Sequence, residues 1–149
     1  MGGLSSLNKG KAAEREVVLL LQPVVNRVYK QVDWEPPKLQ RNLMQSASGG
    51  FDIVGLSWLA LEVKNHKALK VEQWWQQTLR QCDREAGQIP VLMYKVERKG
   101  WRVVTEAYME VSVATRWRGR VTVGLGDWLV WLEAKLKAEV MVKKASEDG

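Results

Sequence analysis

The chain has 149 residues, 23 Lys and Arg against 17 Asp and Glu, and a formal net charge of +6, which favours one domain with a single core and an anionic partner, nucleic acid first. One cysteine, Cys82, and one histidine, His66, exclude an internal disulfide and a protein-only zinc site of the Cys/His type, and leave no basis for a nucleophile triad. No apolar run reaches the length of a membrane span and no signal peptide precedes the first charged residues, so a cytoplasmic protein with no membrane partner is expected.

Residues 1–8 read as a flexible lead-in, given Gly2, Gly3, Ser5 and Ser6. The same segment formally fits an N-myristoylation pattern, read here as chance. From Lys11 to about Tyr29, Ala13, Val17, Leu20, Leu21, Val24, Val25 and Val28 recur at helical spacing. Pro23 predicts a kink or a break in that helix. Asp33 to Pro37 reads as a loop, Leu39 to Met44 as a strand, and residues 45–50 as a flexible Ser/Gly approach to Asp52.

Ile53–Leu56 and Trp58–Leu61 predict two short strands joined through a turn near Ser57. An antiparallel hairpin there sets Asp52 opposite residues 62–64. In a strand, residues i and i+2 share a face, so Glu62 and Lys64 project together while Val63 points into apolar packing. Two carboxylates and a lysine then converge at one end of a sheet. Oxygen ligands of that kind suit Mg²⁺, with Mn²⁺ as an alternative, and the matching chemistry is phosphodiester hydrolysis. Taken alone, Glu-x-Lys is more often an ordinary pair of surface charges; Asp52 at hairpin spacing and the Glu14 segment of the first helix together lift it.

Downstream, Val71 to about Ala86 predicts a helix stopped by Gly87, followed by strands over Ile89–Tyr94 and Trp101–Val104. The alternation predicts an α/β domain with a mixed sheet and helices on both faces. Beyond it, Val111–Thr115 and Arg120–Val123 predict a hairpin around residues 116–119, and Asp127 is placed as the cap of a last helix with Trp128, Leu132, Leu136 and Val140 on one stripe. The tail after Lys144 is expected to be disordered.

On the first helix, Glu14 and Glu16 face different directions and cannot both serve one site. The segment Lys9-Gly10-x-x-x-Glu14-Arg15-Glu16, then Ser46-Ala47-Ser48 before Asp52, then Glu62-Val63-Lys64, Ile89-Pro90-Val91 and Gly100-Trp101-Arg102, resembles the archaeal-type Holliday junction resolvases of the PD-(D/E)XK, or restriction-endonuclease-like, superfamily. The resemblance covers residues 9–104 in order. It implies a restriction-endonuclease-like mixed β-sheet flanked by helices, here with a nuclease core over 9–105, a hairpin and helix appendix over 106–144 and a tail over 145–149.

It also implies roles. Asp52 and Glu62 are the implied ligands of Mg²⁺, with the Val63 carbonyl as a further one. Glu14 is implied as a helix carboxylate approaching the metal or its water, and Lys64 as the residue that orients the attacking water. Lys9, Lys11 and Arg15 are implied phosphate contacts, Ser46 and Ser48 lie near the scissile strand, and Gln73 is a supporting helix residue. Lys67 and Lys70 are phosphate candidates from their place after the site, and His66 is read as a bystander. Phe51 stands where those resolvases have Pro, and residues 106–149 have no counterpart in them.

The expected function is therefore a Mg²⁺-dependent endonuclease cutting four-way DNA junctions as a homodimer. Rivals are another nuclease of the superfamily acting on ends, flaps or foreign duplex, and a non-catalytic nucleic-acid binding module. Among the eight tryptophans, Trp74 and Trp75 are adjacent on a helix, so one is expected inside and one at an edge. Trp128 and Trp131 are expected to face a partner helix or domain. Arg116, Arg118 and Arg120 around Trp117 predict a basic hairpin tip, either solvated or touching phosphates.

Overall fold

The computed structural model describes residues 2–43 and 51–148, residues 2–7 in backbone only. Ser46 and Ser48 lie outside the described residues. The elements are α1 (Gly2–Lys30), β1 (Gln40–Arg41), β2 (Ile53–Val54), β3 (Leu59–Lys64), α2 (Val71–Gln81), β4 (Ile89–Val96), β5 (Gly100–Ser112), β6 (Thr115–Gly124) and α3 (Leu125–Asp148). The main sheet has the order β3-β4-β5-β6, with β3 parallel to β4 and the other pairs antiparallel. A mixed α/β sheet flanked by helices is the architecture expected from the sequence.

The pleat divides each strand between two cores. Leu59, Leu61 and Val63 of β3, Val91 and Met93 of β4, and Trp101 and Val103 of β5 face α1 and α3. Leu92, Tyr94 and Val104 face α2, where they meet Trp74 and Trp75. Both tryptophans are buried, which corrects the expectation of one at an edge. Adjacent residues of α2 straddle the helix face that lies on the sheet, so both indoles find apolar cover.

α1 starts at Gly2, inside the segment expected to be a lead-in, and runs unbroken through Pro23. Pro23 is on the exposed side, so the Leu19 carbonyl that loses its helical N–H partner lies toward water. α1 ends where Asp33 takes a positive φ of 57° and the Trp34 amide closes back on the Tyr29 carbonyl at 3.1 Å.

The expected hairpin over 53–61 forms differently. β2 pairs with β1, not with a ladder on β3, and Gly55 makes the turn with φ of 130°. A Cβ there would stand 2.7 Å from the Lys38 carbonyl oxygen, so the close pass of the Lys38 and Leu39 backbone requires glycine. α2 stops at Gln81, short of Gly87, because Asp83 offers the chain another set of bonds: its carboxylate accepts from the Ala86 amide at 3.1 Å and its carbonyl from the Gln88 amide at 3.1 Å.

The C-terminal part is integral to the fold. Trp128, Leu132, Leu136 and Val140 are buried in the same core as α1, so α3 is a wall of the domain and continues to Asp148 through the expected tail. Asp127 lies within its first turn and is not its cap. The β5–β6 hairpin turns at Val113–Ala114, not around 116–119. Among the described residues no helix is long and apolar enough to cross a membrane.

Candidate active site

β3 is an edge strand of the main sheet, and its free edge receives Asp52. The Asp52 amide donates to the Leu61 carbonyl at 2.9 Å, and the Val63 amide donates to Asp52 Oδ2 at 2.7 Å. Asp52 thus sits beside residues 61–63, one residue short of the 62–64 expected from the sequence, and no regular hairpin brings it there. In a strand, the N–H and C=O of one residue point to the same side, so the Val63 carbonyl faces the Asp52 edge as well.

Glu62 is 1% exposed, and among the described residues neither of its carboxylate oxygens has a hydrogen-bond donor. Its neighbour on the same face, Lys64, brings Nζ to 3.7 Å from Oε2. Burial, and next the charge of Asp52, push the Glu62 carboxyl up to about 9, against the pull of Lys64. Asp52 can offer Glu62 a hydrogen bond only when one of the two carries a proton. An orphaned buried carboxylate of this kind is costly unless a cation completes it.

Glu14 reaches the same cavity from α1, where Arg41 Nε on β1 donates to its Oε2 at 2.7 Å. Burial raises its pKa most, Arg41 opposes, and the Asp52 charge adds to the rise. Glu16 belongs elsewhere: Lys95 Nζ at 3.0 Å and Trp101 Nε1 at 3.1 Å bind it, and these partners hold its carboxyl below the usual range against the opposing effect of burial. The two helix carboxylates are separated, as their spacing required.

The cavity holds about 580 Å³ and is lined by Lys11, Glu14, Arg41, Asp52, Glu62, Lys64, His66 and Gln77, among others. Gln73, expected to support the site, is exposed and does not line it. Gln77, one turn later, does. Lys9, Lys67 and Lys70 are exposed. Burial first, then the charges of Lys64, Lys9 and Lys70, lower the pKa of His66, whose ring lies 5.5 Å from Trp74. Arg15 lines an adjoining apolar groove that shares Arg41 and Leu43 with the cavity.

These residues fit a hard divalent ion. Among the described residues no three His, Cys, Asp or Glu side chains are gathered into a ready-made metal cluster, because Glu14 is turned to Arg41. What remains is two carboxylates and a backbone carbonyl. Mg²⁺ takes one or two carboxylates and leaves its other positions to water and substrate phosphate. The orphaned oxygens of Glu62 would supply negative charge to it on giving up the proton that burial otherwise keeps there. A larger cavity of about 710 Å³ lies at the opposite end of the sheet, around Trp128 and Trp131; its Glu106 is committed to Arg84, and no lysine is among the described residues that line it.

Arg41 and Gln77 are the site residues that sequence reasoning missed. Arg41 lies in the segment read as a strand, and a polar residue alternating with Leu39 was its only signal. A family model described as "Phage putative PDDEXK endonuclease" matches residues 5–127, a span that contains Glu14, Arg41, Asp52, Glu62, Lys64 and Gln77. No curated protein matches the chain.

Proposed function

This chain belongs to the phage PDDEXK endonuclease family, and from that premise we propose that it is a Mg²⁺-dependent DNA endonuclease selective for branched structures, with the four-way junction as substrate. The observation that carries the nuclease reading is the pairing of Asp52, fixed to β3 by the Val63 amide, with Glu62, buried without a donor among the described residues, and Lys64 3.7 Å away.

Asp52, Glu62 and the Val63 carbonyl would hold the ion. When bound, it supplies Lewis acidity toward a phosphoryl oxygen and makes a water more acidic. Lys64, on the same face as Glu62, orients that water with its ammonium and offsets charge gathering on the phosphate. Arg41 stands at the mouth of the cavity with a guanidinium suited to a phosphate oxygen. Its exchange from Glu14 to the substrate leaves Glu14 free to accept a proton from the attacking water. Lys11 lies on the cavity wall, and Lys9, Lys67 and Lys70 extend the positive surface around it.

The junction preference rests on the motif order shared with the archaeal-type resolvases. Two symmetric cuts across a junction need two sites, which a homodimer supplies. The test compares cleavage of a synthetic four-way junction, linear duplex, a flap and single strand with Mg²⁺ and with Mn²⁺. Paired cuts on the junction, lost in Glu62→Ala and Lys64→Ala with binding retained, are expected. Equal rates on every substrate defeat the junction preference, and binding without cutting under either ion defeats the nuclease.

A further inference from the structure

Resting on that nuclease reading, we propose that the outer half of the β5–β6 hairpin is a DNA-backbone grip in which Arg116 and Arg118 contact phosphates. β4 begins at Ile89 and pairs Leu92 with Val104 of β5, so beyond Ala107 the hairpin has no third strand among the described residues. From Tyr108 through the turn to Arg118 it is a two-stranded ribbon projecting about 15 Å. Every described residue in that stretch is exposed.

The pleat gives the ribbon two unlike faces. Tyr108 opposite Arg118 and Glu110 opposite Arg116 stand on one; Met109 opposite Trp117 stands on the other. Nearer the body of the sheet, the charges of the first face are committed within the protein, Arg120 of β6 to Glu72 and Glu106 of β5 to Arg84 in the turn after α2. Arg116 and Arg118 hold no salt bridge among the described residues, although Glu110 is the ladder partner of Arg116. Alternate residues of one strand put their guanidiniums roughly 7 Å apart, close enough for neighbouring phosphates.

Strand parity fixes the face, although the ribbon leaves from the Ile89 end of the sheet and the Lys64 site lies toward the other. Tyr108 and Glu110 share their face of β5 with Val104, which is paired to Leu92 and through it to Glu62. The arginine face and the Glu62–Lys64 pair are therefore on the same side of the sheet. A two-stranded ribbon is narrow enough for the major groove of a duplex. Charge complementarity selects a polyanion as occupant, because a second copy of this face would set its arginines against like charge.

The test is fluorescence anisotropy with a labelled duplex and a labelled four-way junction, in EDTA, across about 50 to 200 mM salt. Replacing both arginines, Arg116→Ala with Arg118→Ala, is expected to weaken binding tenfold or more at the low end. The dependence of log affinity on log salt should become shallower by about 2, one for each lost phosphate contact. An unchanged melting temperature shows that the fold persists, and Arg116→Lys with Arg118→Lys should regain most of the slope. Unchanged affinity and slope in the double alanine variant overturn the grip. So does a self-association arm, recognised if Met109→Ser with Trp117→Ser turns a dimer into a monomer while the arginine variants bind DNA normally. Wild-type cleavage with Mg²⁺ or Mn²⁺ is read in parallel, so a protein that binds but never cuts refutes the nuclease reading and still leaves the ribbon judged by its salt slope.

Discussion

The Val63 amide donates to Asp52 Oδ2 at 2.7 Å while the Asp52 amide donates to the Leu61 carbonyl at 2.9 Å, so a single carboxylate is fixed to the edge of β3 by its side chain and its main chain. Stability and chemistry therefore separate at this residue. Asp52→Asn keeps an oxygen acceptor for Val63 and should melt close to wild type while losing cleavage. Asp52→Ala strands a buried amide and should cost about 1–3 kcal/mol as well. Thermal unfolding beside a cleavage assay distinguishes the two; equal destabilisation by both would show that the Val63 bond is not what holds the segment.

Glu62 predicts a pH signature. Its carboxyl is raised to about 9 in the folded chain from an ordinary 4.5, so the folded state binds its proton more tightly than the unfolded one. The stability linked to that proton is fully present below pH 4.5 and is lost as pH rises toward 9. In EDTA, wild type should lose more stability between pH 5 and pH 8.5 than Glu62→Gln, the two pH values being about the ends of that window. Mg²⁺ should restore wild type at the higher pH and leave the variant unmoved. Urea midpoints read this directly, and parallel pH profiles would contradict it.

Gln77 and Gln73 form an internal control on one helix. Gln77→Ala, inside the cavity, is expected to lower cleavage by about tenfold. Gln73→Ala, on the exposed side, should leave cleavage within twofold of wild type, about the scatter of a neutral surface change. Single-turnover rates at saturating protein decide it, and the reverse order would return the supporting role to Gln73.

For α3, Leu136→Ala removes a fully buried side chain from the core shared with α1 and should cost about 2–5 kcal/mol. Val142→Ala, at a 70% exposed position on the same helix, should change stability by less than about 0.5 kcal/mol. If both were silent in denaturant melts, α3 would be the detachable appendix that its sequence alone resembles.

The pairing of Glu62 with Lys64 was legible because strand periodicity acts within a few residues and survives whatever the rest of the chain does. The separation of Glu14 from Glu16 was legible for the same reason on a helix. Arg41 and Gln77 were not, since each enters the site through docking of one element on another, and α2 offers Gln73, Gln76 and Gln77 with no local reason to prefer one. Gly119 misled for a different reason. It reads as a turn residue, but the Trp117 indole lies over it, where an added Cβ would come within 1.7 Å. The turn falls instead at Val113–Ala114, which carries no turn signature. The stripe on α3 was visible in the sequence; that it closes onto α1 depends on a complementary surface more than a hundred residues away.

Asp52, Glu62 and Lys64 lie within one short stretch of chain, but Glu14 and Arg41 reach them from α1 and β1, so the full arrangement is not assembled by local structure alone. Residues 14, 41, 52, 62 and 64 come together only when contacts of long sequence separation have formed, and such contacts are the slow ones in folding. A partly folded chain accordingly carries the acidic residues without a working centre. During synthesis, the proposed activity should appear only after residue 140, the last buried position of α3, has joined the core.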